Sequence, residues 1–430
     1  MREFTNREDV RQHQHAALQR LLAEVGARNP FWRERIRAAG LAAGCRGLDE
    51  FAQRMMPVTK YELVEDQRRS PPYGTNVTYP LAHYTRFNQT SATSGGAPLR
   101  WIDTPESWQW MVDNWKHVYR AADVTSTDHV YFAFSFGPFL GFWTAFDAAT
   151  QLGCLSIPGG GLSSAARLAA MRDNHATILC CTPTYARRLA EVARKERLDL
   201  AELNVRRIIV AGELGGSVPA VRDAIHRDWP GATVFDHHGM TEVGPVSYQC
   251  PREPGTLVVI ESSYLAEVVA PTSLQPVPPG EVGELLLTTL GRLGAPLIRY
   301  RTGDLVRADR LTEARDGTCF MRLAGGILGR ADDMVVVRGV NVYPTAVADI
   351  CAGFPEIAEY RVRIRRSDSL VHMQLDVEPA ETVHDARQLV ERIAATLKSR
   401  LALTIPVTVQ PPYTLPRFQM KARRWEFVSE

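Results

Sequence analysis

Between Cys154 and Val210, short apolar runs alternate with stretches of helical periodicity, and this alternation limits the possible folds more than any other feature of the chain. The runs Cys154 to Ile157, Ala176 to Cys180 and Arg207 to Val210 have strand length, and the patterns from Ser164 to Asn174 and from Pro183 to Lys195 have helix length. Repeated strand–helix–strand units predict a parallel sheet covered by helices, with ligands gathering at the carboxyl ends of the strands. The segments to inspect are therefore Pro158-Gly159-Gly160-Gly161, Thr182-Pro183-Thr184, Ala211-Gly212-Glu213 and, after the strand Thr233-Val234-Phe235, His237-His238-Gly239-Met240-Thr241-Glu242.

A hydroxyl beside a carboxylate at a strand end, as in Thr241-Glu242, suits a phosphate oxygen and a hard cation; it equally suits a helix start, with Thr241 as cap and Glu242 in the first turn. His237 and His238 point in divergent directions, and no third ligand is spaced nearby, so a zinc site is disfavoured there. Asn88 to Trp101, NQTSATSGGAPLRW, is a tract of hydroxyls and glycines closed by a proline. Small residues of this kind let several N–H and O–H donors wrap an anion, although the tract is not a Walker-type loop and reads equally well as a linker.

Beyond Glu281 the pattern becomes antiparallel, with strands at Val282 to Thr288 and Pro296 to Val306; the latter carries Asp304 in a Thr-Gly-Asp turn. A polar, turn-prone stretch, Gly329 to Asp333, then precedes a short apolar strand, the interruption at Gly339, and a helix opened by Pro344. The last part alternates helix, strand, strand, helix and strand, its long helix reading from Thr382 as N-cap to Leu401 with Leu389, Ile393 and Leu397 on one face. Leu415 to Arg424 is a basic loop that could be a solvated tail. At the other end, Glu8 to Gly26 is helical up to a stop at Asn29-Pro30, and Phe51 to Gln67 reads as helical around Pro57.

A chain of 430 residues, 45% apolar and 23% charged, is long enough for two folded domains. Its net charge of +2 gives no global bias toward nucleic acid. Seven cysteines without a spaced framework, no apolar core for a signal peptide and no run long enough to span a bilayer predict a cytoplasmic protein.

Taken in this order, the segments resemble the adenylate-forming (acyl-CoA synthetase-like) superfamily and, within it, the phenylacetate-CoA ligase family. The likeness runs from Pro57-Val58-Thr59-Lys60 to the Lys421 loop. Thr90 to Gly95 is similar to the family's phosphate loop, Ala211-Gly212-Glu213 to the loop flanking nucleotide and acyl group, and His238 to Glu242 to its Tyr-Gly-x-Thr-Glu motif. Tyr300 to Asp304 resembles the ribose motif, Gly329 to Pro344 the hinge and following loop, and Pro416 to Lys421 the catalytic lysine segment. The sequence departs from the pattern at Ala92 for glycine, at Ala97 for the loop lysine, at His238 for tyrosine and at Met420 for glycine. Some relatives carry a structural zinc held by cysteines and a histidine between these motifs; here Cys250 and Cys319 are the only suggestive remnants, and two thiols do not complete a four-ligand site.

The resemblance implies an α/β fold: a large N-terminal domain (residues 1–328) of βαβ sheet plus an antiparallel part, and a small mobile α+β domain (329–430). It implies an enzyme, an AMP-forming acid–thiol ligase that joins ATP to a benzoate- or phenylacetate-type acid and passes the acyl group to coenzyme A. Lys421, Thr241 and Glu242 would be catalytic, Glu242 holding Mg²⁺. Thr90, Ser91, Thr93, Ser94, Gly95, Gly212, Glu213, His238, Asp304 and Arg330 would bind nucleotide. Phe136, Phe139, Ala211, Gly239 and Pro245 would line the acyl pocket, with Asp332 the hinge and Gly339 on the thiol's path. Ser135, Thr144 and Thr184 are candidate partners for a ring substituent. The alternatives are transfer to a carrier-protein phosphopantetheine or to an amine, and a non-catalytic acyl-nucleotide binding relative. No nucleic-acid or membrane partner is expected, and the chain is read as a monomer or homodimer.

Overall fold

A computed structural model of the chain describes residues 4, 6–90, 98–213, 215–309, 319–331, 333, 335–338, 340–367, 370–383, 385–418 and 422–428. Among them eleven strands form one sheet that is parallel in one half and antiparallel in the other. The parallel half runs Leu155–Pro158, His129–Phe132, Ile178–Cys181, Arg207–Val210 and Thr233–Met240. Alternate residues serve opposite faces, as strand periodicity requires. Leu179, Ile208 and Val210 pack under the helices Ser164–Asp173, Pro183–Lys195 and Pro219–Asp228, whereas Ile178, Cys180 and Ile209 pack against Pro105–Ala121 and Leu140–Gln151.

Thr233–Met240 is where the sheet changes character. Its first half, Thr233 to Asp236, pairs parallel with Arg207–Val210, and its second half, His237 to Met240, pairs antiparallel with Gly244–Gln249. Thr256–Val259, Arg322–Arg330, Tyr300–Asp309, Val282–Thr289 and Tyr264–Val269 continue the antiparallel half. The N-terminal helices Arg7–Arg28, Pro30–Ala38, Leu48–Arg54 and Lys60–Arg69 cover it, with Leu18, Leu21, Trp32 and Phe51 in the shared core.

Phe51 to Gln67 is two helices rather than one. At the break, Val58 is extended and exchanges backbone hydrogen bonds with the Tyr300 strand: its N–H donates to Arg299 O (3.1 Å), and Arg301 N–H donates to its carbonyl (2.9 Å). Thr59 then starts Lys60–Arg69 through a reciprocal capping box with Glu62.

From Val335 onward the buried apolar residues form a core of their own. A hairpin, Val335–Val337 with Val340–Val342, leads to helix Pro344–Ala352 and a sheet ordered Val407–Val409, Leu370–Pro379, Ile357–Ser367, Trp425–Val428. The long helix spans Ala386–Leu401, and its cap is Asp385, which accepts from Gln388 N–H at 2.9 Å; Thr382 lies in the turn before it. The strand Trp425–Val428 was not anticipated, because four residues after a basic run carry too little periodicity to read. Among the described residues no helix is long and apolar enough to cross a membrane.

Contacts in two places tie this C-terminal unit to the helices and loops of the large sheet. Helix Pro219–Asp228 begins at Val218, which offers no side-chain cap, and Asp349 of helix Pro344–Ala352 accepts from Ala220 N–H at 3.3 Å while pairing with Arg400 at 2.6 Å. Near the C-terminus, Ala422 N–H donates to Glu213 Oε2 at 2.8 Å, and Arg424 donates to Thr184 Oγ1 at 3.3 Å.

Candidate active site

The predicted site residues cluster where the switch strand ends. Thr241, Glu242 and Val243 form the turn between Thr233–Met240 and Gly244–Gln249, so the helix-start reading of Thr241 is not what the chain adopts. Gly239 lies opposite Pro245, and a Cβ there would stand 2.9 Å from Gly244 O and 3.2 Å from Pro245 Cα, backbone atoms that cannot move aside. The turn is pinned from behind. Arg292 donates to the carbonyls of Thr241 and Glu242, both at 2.9 Å, and makes a bidentate pair with Asp103 at 2.6 and 2.7 Å. Both charged side chains are fully buried, with the Trp101 ring 5.2 Å from the guanidinium. Sequence reading missed Arg292, whose carboxylate partner lies 189 positions away.

The pinned turn presents Glu242 as a buried carboxylate. Its Oε1 accepts from Lys60 Nζ at 3.0 Å and from the Tyr300 hydroxyl at 3.5 Å, while Oε2 has no partner among the described residues. Asp304 lies on Tyr300–Asp309. Its Oδ2 pairs with His238 Nε2 at 3.0 Å, and its Oδ1 accepts from Arg330 at 3.3 Å. Arg330 also donates to Thr302 O at 3.2 Å, and Thr302 Oγ1 accepts the Asp304 N–H at 3.0 Å, so the carboxylate is held by two side chains and its backbone by a third. His238 is thus fixed by its Nε2; its Nδ1 is buried without a hydrogen-bond partner.

The neighbouring residues face away. His237 contacts the Trp115 ring at 4.3 Å and bonds Ser247 O at 2.6 Å, and burial pulls its pKa down to about 3. Asp236 accepts from the Ser217 hydroxyl (2.5 Å) and from His237 N–H (3.0 Å); burial pushes it up to about 6. Among the described residues no group of three or more His, Cys, Asp or Glu could hold a metal. Cys250 and Cys319 are packed among Phe4, Val10 and Val258, and Cys250 Sγ accepts from Arg322 at 3.2 Å.

Ala211-Gly212-Glu213 follows the strand Arg207–Val210, and Gly212 takes a φ of +91° that favours glycine. Glu213 Oε1 accepts Thr184 N–H at 2.7 Å and Oε2 accepts Ala422 N–H at 2.8 Å, so one carboxylate joins two strand-end loops to the residue beside Lys421. Lys421 itself, Ser91, Thr93, Ser94, Gly95, Asp332 and Gly339 lie outside the described residues. Thr90 is buried and closes the base of its loop: its N–H donates to Leu99 O (2.9 Å), and its hydroxyl accepts Leu99 N–H (3.0 Å). Gln89 N–H donates to Pro138 O at 2.8 Å, which joins the loop to the aromatic turn.

In that turn Phe136 has a φ of 49°, a left-handed conformation unusual for a bulky residue, and its ring lies edge-on to Trp143 at 5.0 Å and Phe146 at 5.6 Å. Phe139 is half-buried at the start of helix Leu140–Gln151, whereas Phe132 and Phe134 are buried core. Of the polar candidates, Ser135 is exposed, Thr144 bonds back to Leu140 O, and Thr184 accepts from Arg424.

An AMP-binding enzyme family model matches residues 105–291, and an AMP-binding enzyme C-terminal domain model matches residues 339–426. The phenylacetate-coenzyme A ligase of Thermus thermophilus is 31% identical over 432 residues, covering 96% of this chain and 94% of that protein. A 2-hydroxyisobutyryl-CoA ligase crystallised in the postadenylation state with 2-HIB-AMP superimposes with a TM-score of 0.93 at 26% identity, covering 99% of this chain and 91% of that one. The same ligase in its thioesterification state, with 2-HIB-AMP and CoA, gives 0.74 at 27% identity over 100% of this chain and 91% of that one.

Proposed function

Because this chain belongs to the phenylacetate-coenzyme A ligase family of AMP-binding enzymes, we propose that its substrate is a small aromatic carboxylic acid of the benzoate or phenylacetate type. The chain is an ATP-dependent, AMP-forming acid–thiol ligase that transfers its acyl group to coenzyme A. The observation that carries the aromatic reading is Phe136, held in a strained conformation among Phe132, Trp143 and Phe146, where ring edges and faces would meet an aryl group. Phe139, Ala211, Gly239 and Pro245 complete the proposed lining.

In the first step a carboxylate oxygen forms a bond to the α-phosphorus of ATP while the bond to the β-phosphate oxygen breaks, releasing pyrophosphate. In the second, the thiol sulfur of coenzyme A bonds to the acyl carbon, its proton goes to solvent, and AMP leaves with the electron pair of the acyl–oxygen bond. Lys421 is assigned to the charge between carboxylate and α-phosphate in the first step, a dry setting in which one such contact is worth several kcal/mol. Asp304 has lone pairs left for the ribose hydroxyls, positioned by His238 and Arg330. Gly212 and Glu213 flank the nucleotide, and Thr241 with Thr90 to Gly95 supplies phosphate donors.

Glu242 fits a magnesium ion: it is a single buried carboxylate with an uncommitted Oε2, and Mg²⁺ prefers one or two carboxylates plus substrate phosphates. Bound there, Mg²⁺ would neutralise phosphate charge. The small domain, expected from residue 329, follows the strand Arg322–Arg330 that the large sheet retains, and it turns at Asp332 so that Gly339 lines the thiol's path between the two steps.

Acid-dependent exchange of labelled pyrophosphate into ATP, run over a panel of aryl acids with 2-hydroxyisobutyrate as the aliphatic comparison, tests the reading. Exchange with benzoate- or phenylacetate-type acids, followed by thioester formation with coenzyme A, is expected; exchange with the aliphatic acid alone would overturn the aromatic assignment. In the same assay Lys421→Ala should lose ~10²- to 10³-fold in exchange yet still convert a supplied acyl-adenylate to thioester. Equal loss of both steps would remove Lys421 from this role.

A further inference from the structure

The tract from Asn88 to Leu99 contains no lysine or arginine, so if it cradles a triphosphate, the balancing charge must come from elsewhere in the chain. Around Glu242 most cations are already committed. Arg292 is spent on Asp103 and two carbonyls, and Arg330 on Asp304 and Thr302 O. Lys60 differs: its ammonium has three donors, and its ion pair is with Glu242 Oε1 at 3.0 Å. Its side chain is 46% exposed while that of Glu242 is 6% exposed, so the lysine reaches in from the open side over a buried carboxylate.

Lys60 is also held in place by its surroundings. Val58 is clamped to the Tyr300 strand, Thr59 caps the helix with Glu62, and Lys60 is the helix's first residue. A cation in that position opposes the helix dipole, whose N-terminal end favours anions. Helix stability gives no reason for a lysine there, and its one ion pair among the described residues is with the carboxylate at the site. An anion arriving at the same end would receive both the ammonium and the positive end of the dipole.

We propose that Lys60 is a phosphate-binding residue of this ligase, leaving Glu242 when ATP arrives and binding oxygens of the β- and γ-phosphates. This rests on reading Glu242 as part of the triphosphate site. The residue acts before pyrophosphate leaves and has no part in thioester formation. No bond is made or broken by it; one ion pair replaces another.

The test is equilibrium binding by calorimetry to the full chain without acid substrate, using ATP, pyrophosphate and AMP as separate probes. Lys60→Gln should weaken ATP and pyrophosphate roughly tenfold to a hundredfold, the range for one charged hydrogen bond, and leave AMP unchanged, since AMP lacks the phosphates concerned. Lys60→Arg, which keeps the charge and the pair with Glu242, should retain most of the affinity and guards against a Gln variant that fails to fold. Wild-type affinity for ATP and pyrophosphate in Lys60→Gln would overturn the assignment. Equal weakening of AMP would reduce Lys60 to a support for Glu242. A wild-type chain that bound neither ATP nor pyrophosphate would instead overturn the nucleotide-site reading beneath it.

Discussion

Arg292 and Asp103 are a fully buried ion pair whose cation also holds the carbonyls of Thr241 and Glu242. Removing one member leaves the other charged and desolvated, which typically costs ~3–5 kcal/mol. Arg292→Ala should therefore lower stability by about that amount in urea unfolding, whereas a cost under ~1 kcal/mol would mean that water reaches Asp103. At Asp236 and His237 burial acts in opposite senses. Asp236, raised to about 6, contributes stability that is full below its unfolded pKa and is lost as pH rises through 6. His237, lowered to about 3, loses stability as pH falls from its unfolded value near 6.5. The two slopes oppose each other between roughly pH 4 and 6. Asp236→Asn removes one of them, so the variant should lose more stability than wild type between pH 7 and pH 5; a parallel curve would show that Asp236 is ionised throughout. Short-range patterns made His238, Glu242, Asp304 and Arg330 readable as residues of interest. Lys60 and Arg292 were not, because they reach the turn only through tertiary packing.

The switch strand shows which elements a sequence discloses and which it conceals. The run Thr233-Val234-Phe235 and the alternation before it were legible, as was the antiparallel pattern after Glu281, since each repeats a simple period. The change of pairing partway along Thr233–Met240 was not, because a strand's neighbours on its two edges leave no mark in its own residues. Asp385 displaced Thr382 as the cap for a related reason: two acceptors lay within one turn of each other, and propensity alone does not choose between them. The aromatic turn ahead of Leu140–Gln151 carries the specificity prediction. Phe139→Ala removes a half-buried ring from the proposed pocket wall, so KM for small aryl acids should rise severalfold while longer acids gain turnover. Unchanged selectivity in a folded variant would return Phe139 to the hydrophobic core.

At the scale of the whole molecule, the C-terminal unit has its own core and docks through Asp349, Ala422 and Arg424, in an arrangement that follows the postadenylation ligase at a TM-score of 0.93 and the thioesterification form at 0.74. Asp349 should stabilise the docked arrangement by about the value of one helix cap, ~1 kcal/mol. Asp349→Ala is accordingly expected to slow acid-dependent pyrophosphate exchange about fivefold and to spare the conversion of supplied acyl-adenylate; equal effects on both would place Asp349 outside the docking step. Because Pro219 has no N–H and Val218 no capping side chain, the Ala220 amide depends on a carboxylate from the other unit for its partner. That single proton is a position sensor built into the backbone. Its deuterium uptake should be slow when the small unit sits as described and rapid in the proposed swung-away arrangement, so the proposed domain cycle can be timed at one labelled amide without touching the site.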